Sequence, residues 1–88
     1  RDRPAGAVAR IAYGLPGLVG GERTAGLNVY DIQGRRVRAL WGGPQPVGAG
    51  LAEWDGRDDR GRGLAAGLYL VRLELDGRFD TRRLLLIR

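Results

Sequence analysis

Apolar and polar residues alternate along most of this chain with a period of two, and glycine or proline interrupts the alternation every few residues. Short, half-buried β-strands joined by turns have this pattern. No segment carries the 3.6-residue period of an amphipathic helix. The sequence therefore predicts an all-β fold, a β-sandwich of six or seven strands in two antiparallel sheets, as a single domain over residues 1–88.

The N-terminal part is predicted to be one strand followed by a long connection. Residues 7–15 place alternate apolar side chains on one face of a strand. The largest residues on that face are Ile11, Tyr13 and Leu15. Residues 17–26 are rich in glycine, so we expect a loose tether there, which leads into a sandwich body over residues 27–88.

The first half of this body predicts a hairpin. One strand covers residues 27–32 and the next covers residues 36–41. The turn between them begins with Asp31 and ends with Gly34, the residue types that a type I turn favours at its first and fourth positions. Residues 42–46, Gly-Gly-Pro-Gln-Pro, then predict an end to the strand, because proline has no backbone N–H to donate.

The second half contains the clearest strand patterns. A fourth strand is predicted over residues 48–54 and a fifth over residues 67–75, with a turn-rich loop over residues 55–63 between them. The residues predicted to shape this loop are Asp55, Gly56, Asp58 and Gly61. The alternation predicts a core that contains Val29, Trp54, Tyr69, Val71 and Leu73, with Tyr13 and Phe79 as further large members.

The last hairpin, at Asp76-Gly77, leaves two registers open. A two-residue loop pairs Leu75 with Arg78 and turns Asp80 and Arg82 toward the core. A three-residue loop pairs Leu75 with Phe79. We favour the three-residue loop, because it buries Phe79, Leu85 and Ile87 in place of charged side chains.

The composition excludes several kinds of chemistry. The chain has no cysteine, histidine, methionine, serine or lysine, so an enzyme would lack the usual nucleophiles and the usual general base. We therefore predict a protein that is not an enzyme. The formal net charge is +5, but the arginines are spread over strand faces and turns, so we expect no nucleic-acid partner. No apolar stretch approaches the roughly 20 residues of a membrane span.

One acidic cluster in the loop over residues 55–63 has the chemistry of a calcium site. Asp55, Asp58 and Asp59 would supply hard oxygen ligands in a glycine-rich loop. Their spacing does not match the EF-hand pattern, and neighbouring arginines oppose a cation. We therefore favour tight turns in which the carboxylates accept backbone hydrogen bonds, and we expect no metal or cofactor.

Four segments of the chain together resemble a known family. In chain order they are Leu27-x-Val29-Tyr30-Asp31-x-x-Gly34-Arg35, Trp54-Asp55-Gly56-Arg57-Asp58-x-x-Gly61, Ala66-Gly67-x-Tyr69 and Thr81-Arg82-Arg83-Leu84-x-Leu86. These segments resemble Ig-like C-terminal domains, a group that includes the type IX secretion sorting domain and the Ig-like domain of the flagellar hook-capping protein. The resemblance covers nearly all of the chain from Ile11. It implies a seven-stranded Ig-like β-sandwich without catalytic activity.

The first functional hypothesis is a sorting and surface-attachment domain of a bacterial protein that uses type IX secretion. This resemblance implies a secreted or cell-surface location and an export machine as the partner. It also implies that residues 79–88 carry the signal, with Thr81, Arg82, Arg83, Leu84 and Leu86 as the contacting residues. Trp41 ends a strand beside Gly42, so we predict that it is an exposed interface anchor.

Two other functions are consistent with the sequence. In one, the chain is a structural subunit of an extracellular filament, in which residues 7–15 leave their own sandwich and complete the sheet of an identical subunit. Repeated head to tail, this strand exchange makes a homopolymer. In the other, the chain is a carbohydrate-binding module, which requires Trp54 and Tyr69 to be exposed and coplanar.

Overall fold

The computed structural model describes residues 9–87, which form six β-strands and no helix. The strands are β1 (Ala9–Leu15), β2 (Glu22–Tyr30), β3 (Arg36–Pro46), β4 (Gly48–Trp54), β5 (Gly67–Leu75) and β6 (Arg78–Leu86). They form two antiparallel sheets, one with the order β1-β4 and one with the order β3-β2-β5-β6. The prediction of an all-β sandwich with two antiparallel sheets is confirmed. Within these residues nothing forms a helix long and apolar enough to cross a membrane.

The core lies between the two-stranded sheet and the middle of the four-stranded sheet. The side chains of Leu27, Val29 and Trp54 are fully buried there. The Trp54 ring packs edge-on against the Tyr69 ring, with 5.2 Å between centroids. Both aromatic polar atoms are satisfied, because Trp54 Nε1 donates to the Arg57 carbonyl at 2.9 Å and the Tyr69 hydroxyl donates to the Ala65 carbonyl at 2.7 Å.

The glycine-rich tether is shorter than the sequence predicts. Strand β2 begins at Glu22, so the last part of the predicted tether belongs to a sheet. Two backbone hydrogen bonds, from Gly21 N to Leu18 O and from Val47 N to Gly21 O, both 2.9 Å, fold the remaining residues into a compact loop. Residues 22–26 belong to the sheet because β3 pairs with all of them and β5 pairs with Ala25 and Gly26.

Strand β3 also runs further than predicted, through the Gly-Gly-Pro-Gln-Pro segment. Pro44 pairs with Thr24 and Pro46 pairs with Glu22 in the β2–β3 register. The prediction of a break was wrong because β3 is an edge strand of its sheet. A proline at an edge can turn its missing N–H position away from the ladder, and no hydrogen bond of the sheet is then lost.

The C-terminal hairpin has the register that we did not favour. Leu75 pairs with Arg78, and the loop residues Asp76 and Gly77 have φ angles of 52° and 75°, as a two-residue type I′ turn requires. Phe79 consequently lies on the outer side of the sheet and is 55% exposed, and Leu85 and Ile87 are exposed with it. The charged residues Asp80 and Arg82 point toward the side of β1 but remain in solvent, because the two-stranded sheet does not cover this part of β6.

Strand β1 lies in the sheet of its own domain. It pairs with β4 over its full length, from Ala9 opposite Trp54 to Leu15 opposite Gly48. Leu15 is buried, and Ile11 and Tyr13 are half-buried against the core. The exchange of this strand with an identical subunit stays a prediction. The predicted strand started at Ala7, which lies outside the described residues.

Candidate functional site

Two five-residue segments of the chain fold into the same turn. Asp31 begins the first and Asp58 begins the second, and both follow the pattern Asp-x-x-Gly-Arg. In the first, the Asp31 carboxylate accepts hydrogen bonds from the backbone N–H of Gln33 and of Arg35, both at 2.9 Å. Gly34 N also donates to Asp31 O at 3.0 Å, and the φ of Gly34 is 89°. Glycine suits this position because other residues rarely adopt such an angle.

The second turn repeats these contacts. The Asp58 carboxylate accepts hydrogen bonds from the backbone N–H of Arg60 and of Arg62, both at 2.9 Å, and Gly61 N donates to Asp58 O at 2.9 Å. In each turn the last arginine also turns its guanidinium to the first carboxylate. Both segments are predicted to be turns, but the prediction did not identify them as two turns of the same type. The shared Asp-x-x-Gly-Arg spacing was the signal.

Hydrogen bonding lowers the pKa of the two carboxyl groups at the start of these turns. The main cause is the backbone N–H of Arg35 for Asp31 and the backbone N–H of Arg62 for Asp58. Burial acts in the opposite direction on both groups and does not cancel this effect. Each carboxyl group therefore favours its ionised form more strongly in the folded chain than in the unfolded chain.

This shift predicts acid destabilisation. A group with a lowered pKa stabilises the fold above its unfolded-state value, and this stabilisation is lost as the pH falls through the folded value. We expect the urea midpoint to fall as the pH drops below the ordinary carboxyl pKa of 3.8. The double variant Asp31→Asn/Asp58→Asn, whose amide oxygens still accept hydrogen bonds, should lose part of this dependence. A double variant with the parent's full acid sensitivity would contradict the assignment.

A shallow cleft of about 680 Å³ lies between the two turns, with Leu64 and Tyr69 in its wall. Its acidic groups Asp31 and Asp58 are occupied by backbone N–H groups, and Arg35 is held by Asp31. Asp59, which also lines the cleft, accepts a hydrogen bond from the backbone N–H of Ala39 at 2.9 Å, so these three carboxylates are engaged in structural hydrogen bonds.

The three aspartates of the loop over residues 55–63 point to different partners. Asp55 accepts a hydrogen bond from the Arg38 guanidinium at 2.9 Å. Asp58 closes its own turn, and Asp59 accepts a hydrogen bond from the backbone N–H of Ala39 at 2.9 Å. No group of three or more metal-ligating side chains is found within residues 9–87. The cluster seen in the sequence therefore serves to hold the loop against β3.

The aromatic residues form no exposed platform for a sugar ring. Trp54 and Tyr69 are buried, and their rings lie at 71° to each other, so the carbohydrate-binding hypothesis is not supported. Trp41 was predicted to be an exposed anchor, but it is half-buried and packs on the Tyr13 ring with 5.3 Å between centroids. The extension of β3 beyond Trp41 brings this residue into the body of the sheet.

The C-terminal residues predicted to act together as a contact surface are divided by the pleat of β6. Thr81 and Arg83 are exposed on the outer side of the four-stranded sheet, and Arg82 is exposed on its other side. Leu84 is half-buried and Leu86 is buried in the core. A strand alternates its side chains between two faces, so a continuous segment of this kind cannot present all of its residues to one partner.

The outer side of β5 and β6 instead presents Phe79 and Leu85, which the favoured register of the last hairpin predicted to be buried. We call this surface the β5–β6 face; its members are Leu68, Leu70, Arg72, Glu74, Phe79, Thr81, Arg83 and Leu85. Leu85 is 62% exposed beside Leu68, its cross-strand partner. The Arg72 guanidinium lies between the Tyr30 ring, at 4.7 Å, and the Phe79 ring, at 4.8 Å. The Asp-Gly loop was the signal that would have revealed this face.

Comparisons with known proteins agree with this fold. The family model of the FlgD Ig-like domain matches residues 16–78, from the residue after β1 to the first residue of β6. Among solved structures, the crystal structure of FlgD from P. aeruginosa is similar, with 24% sequence identity and a TM-score of 0.66 over 91% of this chain. The chain spans 61% of the length of that structure. None of the curated protein sequences matches it.

These findings decide between the two families that the sequence resembles, the type IX secretion sorting domain and the Ig-like domain of the flagellar hook-capping protein. The prediction of a secreted or cell-surface location through type IX secretion is wrong, because the matching family is the FlgD Ig-like domain and not a sorting domain. The expected Ig-like fold is confirmed. With a family match over most of its length and a fold that agrees with it, the chain belongs to the FlgD Ig-like domain family.

Proposed function

We propose that this domain is a non-catalytic protein-binding module of a flagellar hook-capping scaffold. The observation that carries the proposal is the match of residues 16–78 to the FlgD Ig-like domain. Ig-like sandwiches recur in proteins that bind other proteins. In this domain the Asp31 and Asp58 carboxylates are engaged in hydrogen bonds within their own turns. The partner that we propose is a protein subunit of the hook, contacted through the β5–β6 face.

The β5–β6 face has the chemistry that the centres of protein interfaces favour. Aromatic residues and arginine are enriched at such centres, and here Phe79 and Arg72 are in contact. The two rings beside Arg72 hold its guanidinium in one place, so little side-chain entropy is lost when a partner binds. Leu68 and Leu85 add exposed apolar area next to it.

The charges of the face indicate what kind of surface would fit it. Arg72 and Arg83 outnumber the carboxylate of Glu74 on this face, and the whole chain has a formal net charge of +5. A partner that combines apolar side chains with carboxylates would match both the leucines and the guanidinium groups. Steering by the net charge would also speed the approach of such a partner, and the association rate should fall as salt is added.

We expect Leu85→Glu to weaken binding of the domain to purified hook subunit from the same organism by about tenfold or more, because it puts a carboxylate into the apolar part of the face. Surface plasmon resonance with immobilised hook subunit measures this directly. The matched control is Leu51→Glu, since Leu51 is 60% exposed but lies on β4 in the other sheet. Equal losses in the two variants, or no binding by the parent domain, would refute the proposal.

A further inference from the structure

The two edges of the four-stranded sheet differ in their protection. Strand β3 forms one edge, and the loop over residues 55–63 covers part of it: Asp59 N donates to Val37 O at 3.0 Å, and the Asp59 carboxylate accepts from Ala39 N at 2.9 Å. Pro44 and Pro46 occupy the remaining part of this edge. Covering segments and prolines are both devices that keep edge strands from pairing with other chains.

Strand β6 forms the other edge and has no such cover among the described residues. It is nine residues long, Arg78–Leu86, and it contains neither proline nor glycine. The two-residue hairpin makes Leu75 and Arg78 the closing hydrogen-bonded pair. Every second residue from Arg78 therefore directs its backbone groups to β5. The residues between them, Phe79, Thr81, Arg83 and Leu85, direct their backbone N–H and C=O groups to the free edge.

We propose that β6 pairs antiparallel with β6 of a second copy of this chain, about a two-fold axis at Thr81. In this register Thr81 faces Thr81 of the second copy, and Phe79 faces Arg83 of the second copy. Both pairs use the backbone groups that point to the free edge. Asp80 faces Arg82 of the second copy, and the symmetry repeats this contact on the other side of the axis.

Charge complementarity favours this register over axes at Asp80, Arg82 or Arg83, and strand length favours it over an axis at Phe79, which would pair only residues 78–80 of β6 in place of residues 78–84. An axis at Arg82 or Arg83 would place that arginine opposite itself, and an axis at Asp80 would place two carboxylates opposite each other. Like charges directly opposite in a sheet are destabilising, whereas opposite charges stabilise. Within one chain Asp80 and Arg82 already approach to 3.5 Å, and both side chains are largely exposed, so they are free to form contacts across the axis.

The product is a closed dimer with one continuous eight-stranded sheet. A two-fold contact uses the same surface on both subunits and cannot continue into a filament, unlike the head-to-tail exchange of β1. The side chains of Phe79 and Leu85 stay on the outer side of this sheet. The pairing of two edge strands buries only a small surface area, so we expect a weak dimer that dissociates on dilution.

Reciprocal charge variants test both the dimer and its register. Sedimentation equilibrium of the full chain should show a mass that rises from 9.6 kDa toward twice that value with increasing concentration. Asp80→Arg and Arg82→Asp each place like charges opposite one another, so each alone should raise the dimer dissociation constant by about tenfold. An equimolar mixture should recover the dimer, because the introduced arginine of one variant faces the introduced aspartate of the other.

The control variant is Glu53→Arg, which breaks a similarly exposed ion pair, with Arg10, on the other sheet and should dimerise like the parent. Circular dichroism of each variant checks that it is folded. A parent chain that stays monomeric at every concentration, single variants that dimerise like the parent, or a mixture that does not recover the dimer would overturn the proposal. No hook subunit is present in this test, so its result is independent of the proposed function.

Discussion

Replacing Trp54 with alanine is expected to unfold most of the domain at room temperature. Its ring is 0% exposed and packs against Tyr69 at the centre of the core. Removing a buried tryptophan costs about 3–5 kcal/mol, through lost transfer free energy and the cavity that remains. Native domains are stabilised by only about 5–15 kcal/mol, and a domain of 88 residues without a disulfide lies toward the lower end of that range. The loss therefore approaches the entire stability of the domain.

Urea unfolding followed by far-ultraviolet circular dichroism measures this effect. The control is Trp54→Phe, which keeps an aromatic ring but removes the hydrogen bond from Nε1 to the Arg57 carbonyl. The phenylalanine variant should lose less unfolding free energy, about 1–3 kcal/mol, because the Arg57 carbonyl loses its hydrogen-bond donor and the ring is smaller. An alanine variant with the urea midpoint of the parent would show that Trp54 is not central to the core.

The second large effect is expected for Gly50→Ala. Gly50 lies directly opposite Tyr13 in the β1–β4 register, and a Cβ atom there would lie 2.8 Å from Cε1 of the Tyr13 ring. The ring cannot move away freely, because Trp41 packs on it with 5.3 Å between centroids. Overpacking of this kind costs typically about 1–3 kcal/mol of unfolding free energy.

The matched control for this prediction is Gly14→Ala. Gly14 lies in β1, its φ is not in the left-handed region, and a Cβ there would meet nothing within 4 Å. Alanine loses less backbone entropy on folding than glycine, so this variant should be neutral or gain up to about 1 kcal/mol. Differential scanning calorimetry should show a melting temperature below that of the parent for Gly50→Ala and one equal to or above it for Gly14→Ala. Equal decreases in the melting temperature of the two variants would contradict the close approach of Gly50 to the Tyr13 ring.

The period-two alternation was sufficient to predict the centre of this fold. Ala52 and Trp54 in β4, and Tyr69 and Val71 in β5, are two positions apart and buried, and burial of one face is a local consequence of the pleat. The full lengths of β2 and β3 could not be predicted in the same way. Glycine and proline normally end a strand, and their presence in residues 42–46 is tolerated only because β3 lies at an edge, which is a property of the whole sheet.

The surface that we propose for binding depends on the register of the last hairpin. The local signal, Asp-Gly, indicated a two-residue loop, but we preferred the register that buries Phe79. That preference assumed that the opposite sheet covers β6. It does not do so at Asp80 and Arg82, and only the arrangement of strands from distant parts of the chain reveals this. A single sequence therefore predicts which residues alternate, but not which face is covered.

The pairing of β1 with β4 also has a kinetic consequence. The hairpins β2–β3 and β5–β6 join neighbouring segments, whereas β2 must find β5 and β1 must find β4 across distant parts of the chain. Of the two distant pairings, that of β1 gains less, because β1 has one neighbouring strand in its sheet and β2 has two. Contacts between distant segments form slowly, because closing a long loop costs entropy before any contact compensates for it. We expect β1 to dock after the folding barrier. Changes in β1 should then speed unfolding and leave the folding rate nearly unchanged, so the lifetime of the folded domain depends on its first strand.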